Sequence, residues 1–215
     1  ADLPWRLVAA AWLPEDAALA LRQALQPLMR PHGYGACVPF GHARHGVLLR
    51  LAAAAAPPPP VVDAIEALFG LSPARPGVLR YADPRLGQRR AIGLETVGAD
   101  HRLQAFLLAG NTRAEAWIRQ LLQQELPAQA YGRQLLQPGA EAPAALRPAG
   151  RQVCTCLNVG ESAIQGVLAG CTGTAAQRLQ QLQQRLACGT QCGSCLPVLK
   201  QLVASAPQAA DTQAA

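Results

Sequence analysis

Four of the seven cysteines in this chain fall into two close pairs. In "RQVCTCLNVGESAIQG" one residue separates Cys154 from Cys156, and in "LACGTQCGSCLPVLK" two residues separate Cys192 from Cys195. An odd total in this spacing is not a secreted disulfide framework. In a reducing compartment, clustered thiols bind metal or do redox chemistry. Three chemistries compete for the four. A [2Fe–2S] cluster takes four thiolates, two to each iron, in loops whose backbone N–H groups donate to sulfur. Structural zinc also takes four, but its modules usually keep a two-residue gap in both pairs and a short knuckle between strands. Disulfides are the third, and the compartment argues against them. The one-residue first gap favours iron–sulfur and leaves zinc open.

The segments around the pairs must bring them together. Gly160 to Ala169 predicts one helix, closed by Gly170. Thr174 with Gln177 predicts a capping box, and Leu179, Leu182 and Leu186 line one face of the helix after it, which ends near Gly189. A third helix is expected just after Cys195, with Pro197 in its first turn, where a missing N–H costs nothing. Its N-terminus offers donors and a partial positive charge to nearby sulfur. Two helical segments therefore return the loop of Cys154 and Cys156 to the loop of Cys192 and Cys195.

These residues also carry a family resemblance. "VCTCLNVGESAI" and "GTQCGSCLPVLKQL" resemble the bacterioferritin-associated ferredoxin-like (BFD-like) [2Fe–2S] domain, whose pattern is Cys-x-Cys, some thirty-odd residues, then Cys-x-x-Cys. Asn158-Val159-Gly160 and Gly193-Ser194 match as well, and the resemblance covers residues 153 to about 203. It implies Cys154, Cys156, Cys192 and Cys195 as iron ligands. Cys188, four residues before Cys192, falls outside the pattern, at a place where the family usually has a small residue. Cys37 and Cys171 read as buried or partly buried small residues.

Upstream, Leu19, Leu21, Leu25 and Leu28 predict a helix started near Pro14 to Asp16. "YGACVPFGHARHGVLLRLA" predicts a hairpin around "GHARHG", with His42 and His45 as exposed turn residues rather than metal ligands. "AAAAAPPPP" reads as a spacer or surface loop, and "VVDAIEALFG" as a short helix. From Gly77, "GVLRYAD", "RRAIGLE" and "RLQAFLLAG" predict strands, followed by a helix with a capping box at Thr112 and Glu115. "QPGAEAPAALRPAG" reads as a linker. The fold class expected is α+β: a small antiparallel sheet and helix, then a small all-α [2Fe–2S]-binding domain. The expected divisions are a helix and hairpin segment with a Pro-rich loop (1–72), a small α+β segment and linker (73–147), the BFD-like domain (148–205) and a disordered tail (206–215).

"LRYADPRLGQRRAIGLE", "RLQAFLLAGNTRAEAWIRQLL" and "YGRQLLQPG" are similar to the segment before the same domain in bacterial assimilatory nitrate reductase large subunits. That resemblance implies an electron-accepting C-terminal region of a molybdoenzyme. Its molybdopterin guanine dinucleotide and [4Fe–4S] cluster would lie upstream, and its donor would be a ferredoxin, flavodoxin or flavin reductase. A related segment precedes the domain in assimilatory nitrite reductase and its flavoprotein relatives. A stand-alone iron-handling adaptor and a zinc-stabilised interaction domain are the other readings. No Cys-x-x-Cys-x-x-x-Cys, pterin-binding pattern or Gly-x-Gly-x-x-Gly loop stands in the chain, so no catalytic residue is assigned.

Composition bounds the rest. The formal charge of +6 comes almost entirely from arginines scattered among Ala, Pro and Gly, without a basic stripe, which argues against nucleic acid. Arg151, Arg185 and Lys200 are candidates for docking an acidic donor, although solvated helix residues are the plainer reading. No apolar run reaches membrane-spanning length and the first residues lack a signal peptide's pattern, so the chain reads as cytoplasmic. It begins with Ala1 and its one methionine is Met29, so a fragment or processed piece is expected.

Overall fold

The run "WRLVAAAWL" forms β1 (Trp5–Leu13), a strand that periodicity left unassigned. The computed structural model describes residues 3–41, 44–146 and 150–207. The chain divides into two units, Ala1–Arg147 and Pro148–Ala215. In the first, β1 is followed by α1 (Glu15–Met29), β2 (Tyr34–Phe40), β3 (His45–Ala53) and α2 (Pro59–Leu68). Then come β4 (Val78–Asp83), β5 (Gln88–Val97), β6 (Asp100–Ala109), α3 (Glu115–Gln123) and α4 (Gly132–Leu136). The six strands make one antiparallel sheet in the order β2-β3-β1-β6-β5-β4.

Because β1 lies inside this sheet and is covered on both faces, its sequence is a continuous apolar run instead of an alternation, and periodicity cannot type such a run. Alternate residues still point to opposite faces. Trp5, Leu7, Ala9 and Ala11 join Leu21 and Leu25 of α1 and Val62 and Ile65 of α2 in one core. Val8, Ala10 and Trp12 are buried too. There α3 lies against β6 and β1, and the Trp12 indole N–H donates to the Leu122 carbonyl at 2.9 Å. Each fully buried Leu or Phe contributes about 1.5–3 kcal/mol, so the layers on the two faces hold the sheet.

Several sequence expectations are corrected. The sheet is not a small one over residues 77–109, and the division at 72/73 is not a boundary in the fold. β1 pairs with β6 from Leu7↔Ala109 to Ala11↔Ala105, so the two segments share one ladder. The proline run does not stay outside helices: Pro59 and Pro60 open α2, because first-turn N–H groups have no intrahelical partner to lose. Thr112 does not cap α3, whose N-cap is Ala114 without a side-chain bond. Its intended partner Glu115 is drawn instead to Arg50 and Arg119. The expected linker packs in part, with Leu146 buried and the Trp117 indole N–H donating to the Ala140 carbonyl. His45 begins β3, exposed, with Nε2 3.7 Å from a Glu15 carboxylate oxygen; His42 lies outside the described residues.

The second unit contains β7 (Gln152–Cys154), β8 (Val159–Gly160), α5 (Glu161–Leu168), α6 (Ala175–Leu186) and α7 (Leu196–Ser205). It is not purely helical, since β7 and β8 pair as a two-stranded ladder around the first cysteine pair. At the start of α6, Thr174 Oγ1 accepts from the Gln177 N–H and Gln177 Oε1 accepts from the Thr174 N–H, a complete capping box. Ile164, Leu168, Leu182, Leu199 and Val203 are buried, whereas Leu179 and Leu186 are half-buried. The buried Arg178 of α6 donates to the carbonyls of Val203, Ala206 and Pro207. A cation at a helix C-terminus satisfies orphan carbonyls and opposes the helix dipole, so α6 also caps α7. Ala206 and Pro207 thus belong to the fold; the rest of the expected tail, 208–215, lies outside the described residues. Among the described residues no helix is long and apolar enough to cross a membrane.

Candidate metal centre

Cys154 closes β7, and the chain turns back into β8 through Thr155 to Asn158. Asn158 takes a left-handed backbone (φ 53°), which Asn tolerates better than most residues, and its Oδ1 accepts from Gln152 Nε2. The tight return places Cys154 Sγ and Cys156 Sγ 3.6 Å apart. The second pair depends on the end of α6. Ala187 is left-handed (φ 52°), Gly189 follows at 84°, and Thr190 Oγ1 donates back to the Ala187 carbonyl at 2.6 Å. Gly193 (φ 70°) makes the last bend before Cys195, the N-cap residue of α7.

The two loops meet at the sulfurs. Cys192 Sγ stands 3.6 Å from Cys156 Sγ, and the side chains of Cys195 and Cys154 interact directly. Cys154, Cys156 and Cys195 are buried, whereas Cys192 is exposed. None of the seven cysteines is joined in a disulfide. Cys156 Sγ therefore lies 3.6 Å from both Cys154 Sγ and Cys192 Sγ. Metal–sulfur bonds of about 2.3 Å in tetrahedral array separate neighbouring sulfurs by about 3.8 Å, close to both contacts here. Among the described residues, no three His, Cys, Asp or Glu side chains are arranged to hold one ion as they stand.

Backbone hydrogen bonds and burial act in opposite directions on these sulfurs. A hydrogen bond from the Cys156 thiol, helped by the backbone N–H groups of Leu157 and Gly189, holds Cys154 below the usual thiol range despite its burial. The same sulfur–sulfur bond, with burial, pushes Cys156 up, while the Cys192 N–H donates to it. Burial raises Cys195. Hydrogen bonds to sulfur are among the features that set the potential of thiolate-bound iron–sulfur clusters. The donor set, four thiols with three buried and backbone donors aimed at two of them, fits a cysteine-ligated cluster.

Cys188 is buried beside the set, interacting with Cys156 and Cys195, and burial raises its thiol. Cys171 is buried and donates to the Val167 carbonyl at 3.2 Å, and Cys37 is half-buried on β2. Arg151 is bonded to Glu161 at 3.1 Å, and Arg185 and Lys200 are exposed. The stretches 152–160 and 188–199, which carry all four sulfurs, contain no Asp, Glu, Lys or Arg. Sequence reasoning missed the N–H donors of Leu157, Gly189 and Cys192. It also missed Ser194, whose Oγ lies 3.1 Å from Cys192 Sγ. Gly189 and Gly193 were the available signal, because glycines beside cysteines mark the bends that turn backbone donors toward sulfur.

No family model matches the chain, and no solved structure matches it. A nitrate reductase of Klebsiella oxytoca is 46% identical to it over 59 residues. That stretch is 27% of this chain, and it spans only 6% of the length of the curated relative. Over about a quarter of its length, then, the chain is similar to a nitrate reductase.

Proposed function

We propose that the second unit is a BFD-like domain holding a [2Fe–2S] cluster on Cys154, Cys156, Cys192 and Cys195, and that the chain is the electron-accepting region of a nitrate reductase-like molybdoenzyme. The observation that carries this is the meeting of two sulfur pairs from loops 36 residues apart, Cys156 Sγ to Cys192 Sγ at 3.6 Å. Four cysteine thiols can supply two irons with two thiolates each, as a [2Fe–2S] cluster requires. When bound, the cluster supplies one-electron transfer. The protein's part is to bury three of the sulfurs, stabilise their negative charge with the N–H groups of Leu157, Gly189 and Cys192, and leave Cys192 facing solvent. Electrons from a ferredoxin, flavodoxin or flavin reductase enter on that side.

Two such electrons would match the two-electron reduction of nitrate to nitrite, chemistry that a molybdenum site outside this chain would supply. Molybdopterin guanine dinucleotide and a [4Fe–4S] cluster belong to that upstream part in this reading, which the partial likeness to a nitrate reductase supports. Metal analysis of anaerobically purified protein tests the centre. Two irons, two sulfides and an EPR signal on reduction are expected; colourless protein with one zinc overturns it. Molybdopterin-binding sequence upstream in the same gene tests the wider role, and a flavin or sirohaem domain there reassigns it to nitrite reduction.

A further inference from the structure

The exposed sulfur has a hydroxyl beside it. Ser194 Oγ lies 3.1 Å from Cys192 Sγ, across Gly193, whose left-handed backbone (φ 70°) curls the chain so that two side chains two residues apart can meet. The commoner use of a serine just before a helix is to cap it. Here the N-cap of α7 is Cys195, and α7 has no side-chain cap bond. Leu196 N–H donates to the Gly193 carbonyl and Leu199 N–H to the Cys195 carbonyl. The hydroxyl is directed to sulfur instead.

The direction of that bond follows from chemistry. Between two neutral groups either atom could donate. A thiolate has no proton, so once Cys192 binds metal only the serine O–H can donate. A hydrogen bond to an ionised acceptor is roughly twice as strong as one between neutral groups, and it strengthens as negative charge on the sulfur grows. Reduction adds one electron to the centre and therefore negative charge to its sulfurs. The bond then favours the reduced state, which raises the potential. Backbone N–H groups donate to buried Cys154 and Cys156, whereas Cys192 is exposed and has the Ser194 hydroxyl beside it.

We propose that Ser194 is a positioning residue for the electron-entry sulfur, its hydroxyl donating to Cys192 Sγ and thereby setting the centre's reduction potential. The inference rests on the [2Fe–2S] reading, and its test separates the two. Wild type, Ser194→Ala and Ser194→Thr of the full chain are purified anaerobically, assayed for iron and sulfide, and titrated by EPR for midpoint potential. All three are expected to hold two irons and two sulfides. In Ser194→Ala the reduction equilibrium constant should fall roughly tenfold, about 59 mV more negative for one electron. An exchangeable-proton coupling in the wild-type spectrum should vanish with it. Ser194→Thr keeps the hydroxyl and should keep both properties. A fully loaded Ser194→Ala with the wild-type potential overturns the inference and leaves the centre standing, whereas wild type without iron and sulfide overturns both. If Ser194→Ala alone fails to assemble, the hydroxyl contact is supported; equal loss in Ser194→Thr overturns it.

Discussion

Cys156 and Cys192, 36 residues apart in the chain, bring their sulfurs to 3.6 Å, one from a β-turn and the other from a loop that follows a helix. That contact joins the two cysteine pairs. Cys154→Ser or Cys192→Ser should abolish or severely perturb the visible absorbance of the iron-loaded protein, because each removes one of the four proposed thiolates. Cys188→Ser should leave it intact, since Cys188 falls outside the two pairs proposed as ligands. Absorbance and iron content of the three variants check this, and loss of the chromophore in Cys188→Ser would mean a different ligand set.

Gly189 is held at φ 84°, and a Cβ there would meet Leu196 Cδ2 at 2.8 Å and Leu199 Cδ1 at 3.1 Å. Gly189→Ala should therefore destabilise the second unit by at least the left-handed penalty of about 1–2 kcal/mol. It should also disturb the N–H that donates to Cys154. Gly166→Ala in α5 is the matched control, because a Cβ there meets nothing within 4 Å. Replacing a helix-interior glycine should stabilise by about 0.5–1 kcal/mol. Opposite shifts in thermal midpoint are expected, and equal ones would refute the assignment of strain to Gly189.

Arg178 bonds the carbonyls of Val203, Ala206 and Pro207 from a nearly fully buried position. Arg178→Met retains most of the packing stem but leaves those carbonyls without a donor, at a cost of about 1–3 kcal/mol. Arg178→Lys should recover only part, since a point charge cannot fork across three acceptors. Urea denaturation followed by helical circular dichroism should rank wild type above Lys above Met.

Leu107 is fully buried in β6, between Ala9 of β1 and Ala91 of β5. Leu107→Ala should cost about 2–5 kcal/mol through lost transfer energy and the cavity left behind. Leu86, 63% exposed in the β4–β5 turn, should change stability by no more than about 0.5 kcal/mol when made Ala. Chemical denaturation of the two variants checks whether the first unit depends on this sheet core.

What was legible in the sequence was local. Thr174 and Gln177 cap α6 with each other, and Pro197 sits in the first turn of α7, because capping depends on residues within one turn of each other. The two cysteine pairs were equally legible, their spacing being a property of the chain itself. What only the tertiary structure decided was long-range. Thr112 and Glu115 have the same capping pattern as Thr174 and Gln177, yet Arg50, brought in by β3, takes the carboxylate. β1 is covered on both faces, which erases the alternation that reveals a strand, and its pairing with β6 joins residues about a hundred positions apart. The donors to sulfur, from Gly189 to Cys154 and from Cys192 to Cys156, likewise exist only once two distant loops meet. Residue types and spacing can specify which sulfurs are available, but distances between them depend on how helices and loops pack, and that is settled only in three dimensions.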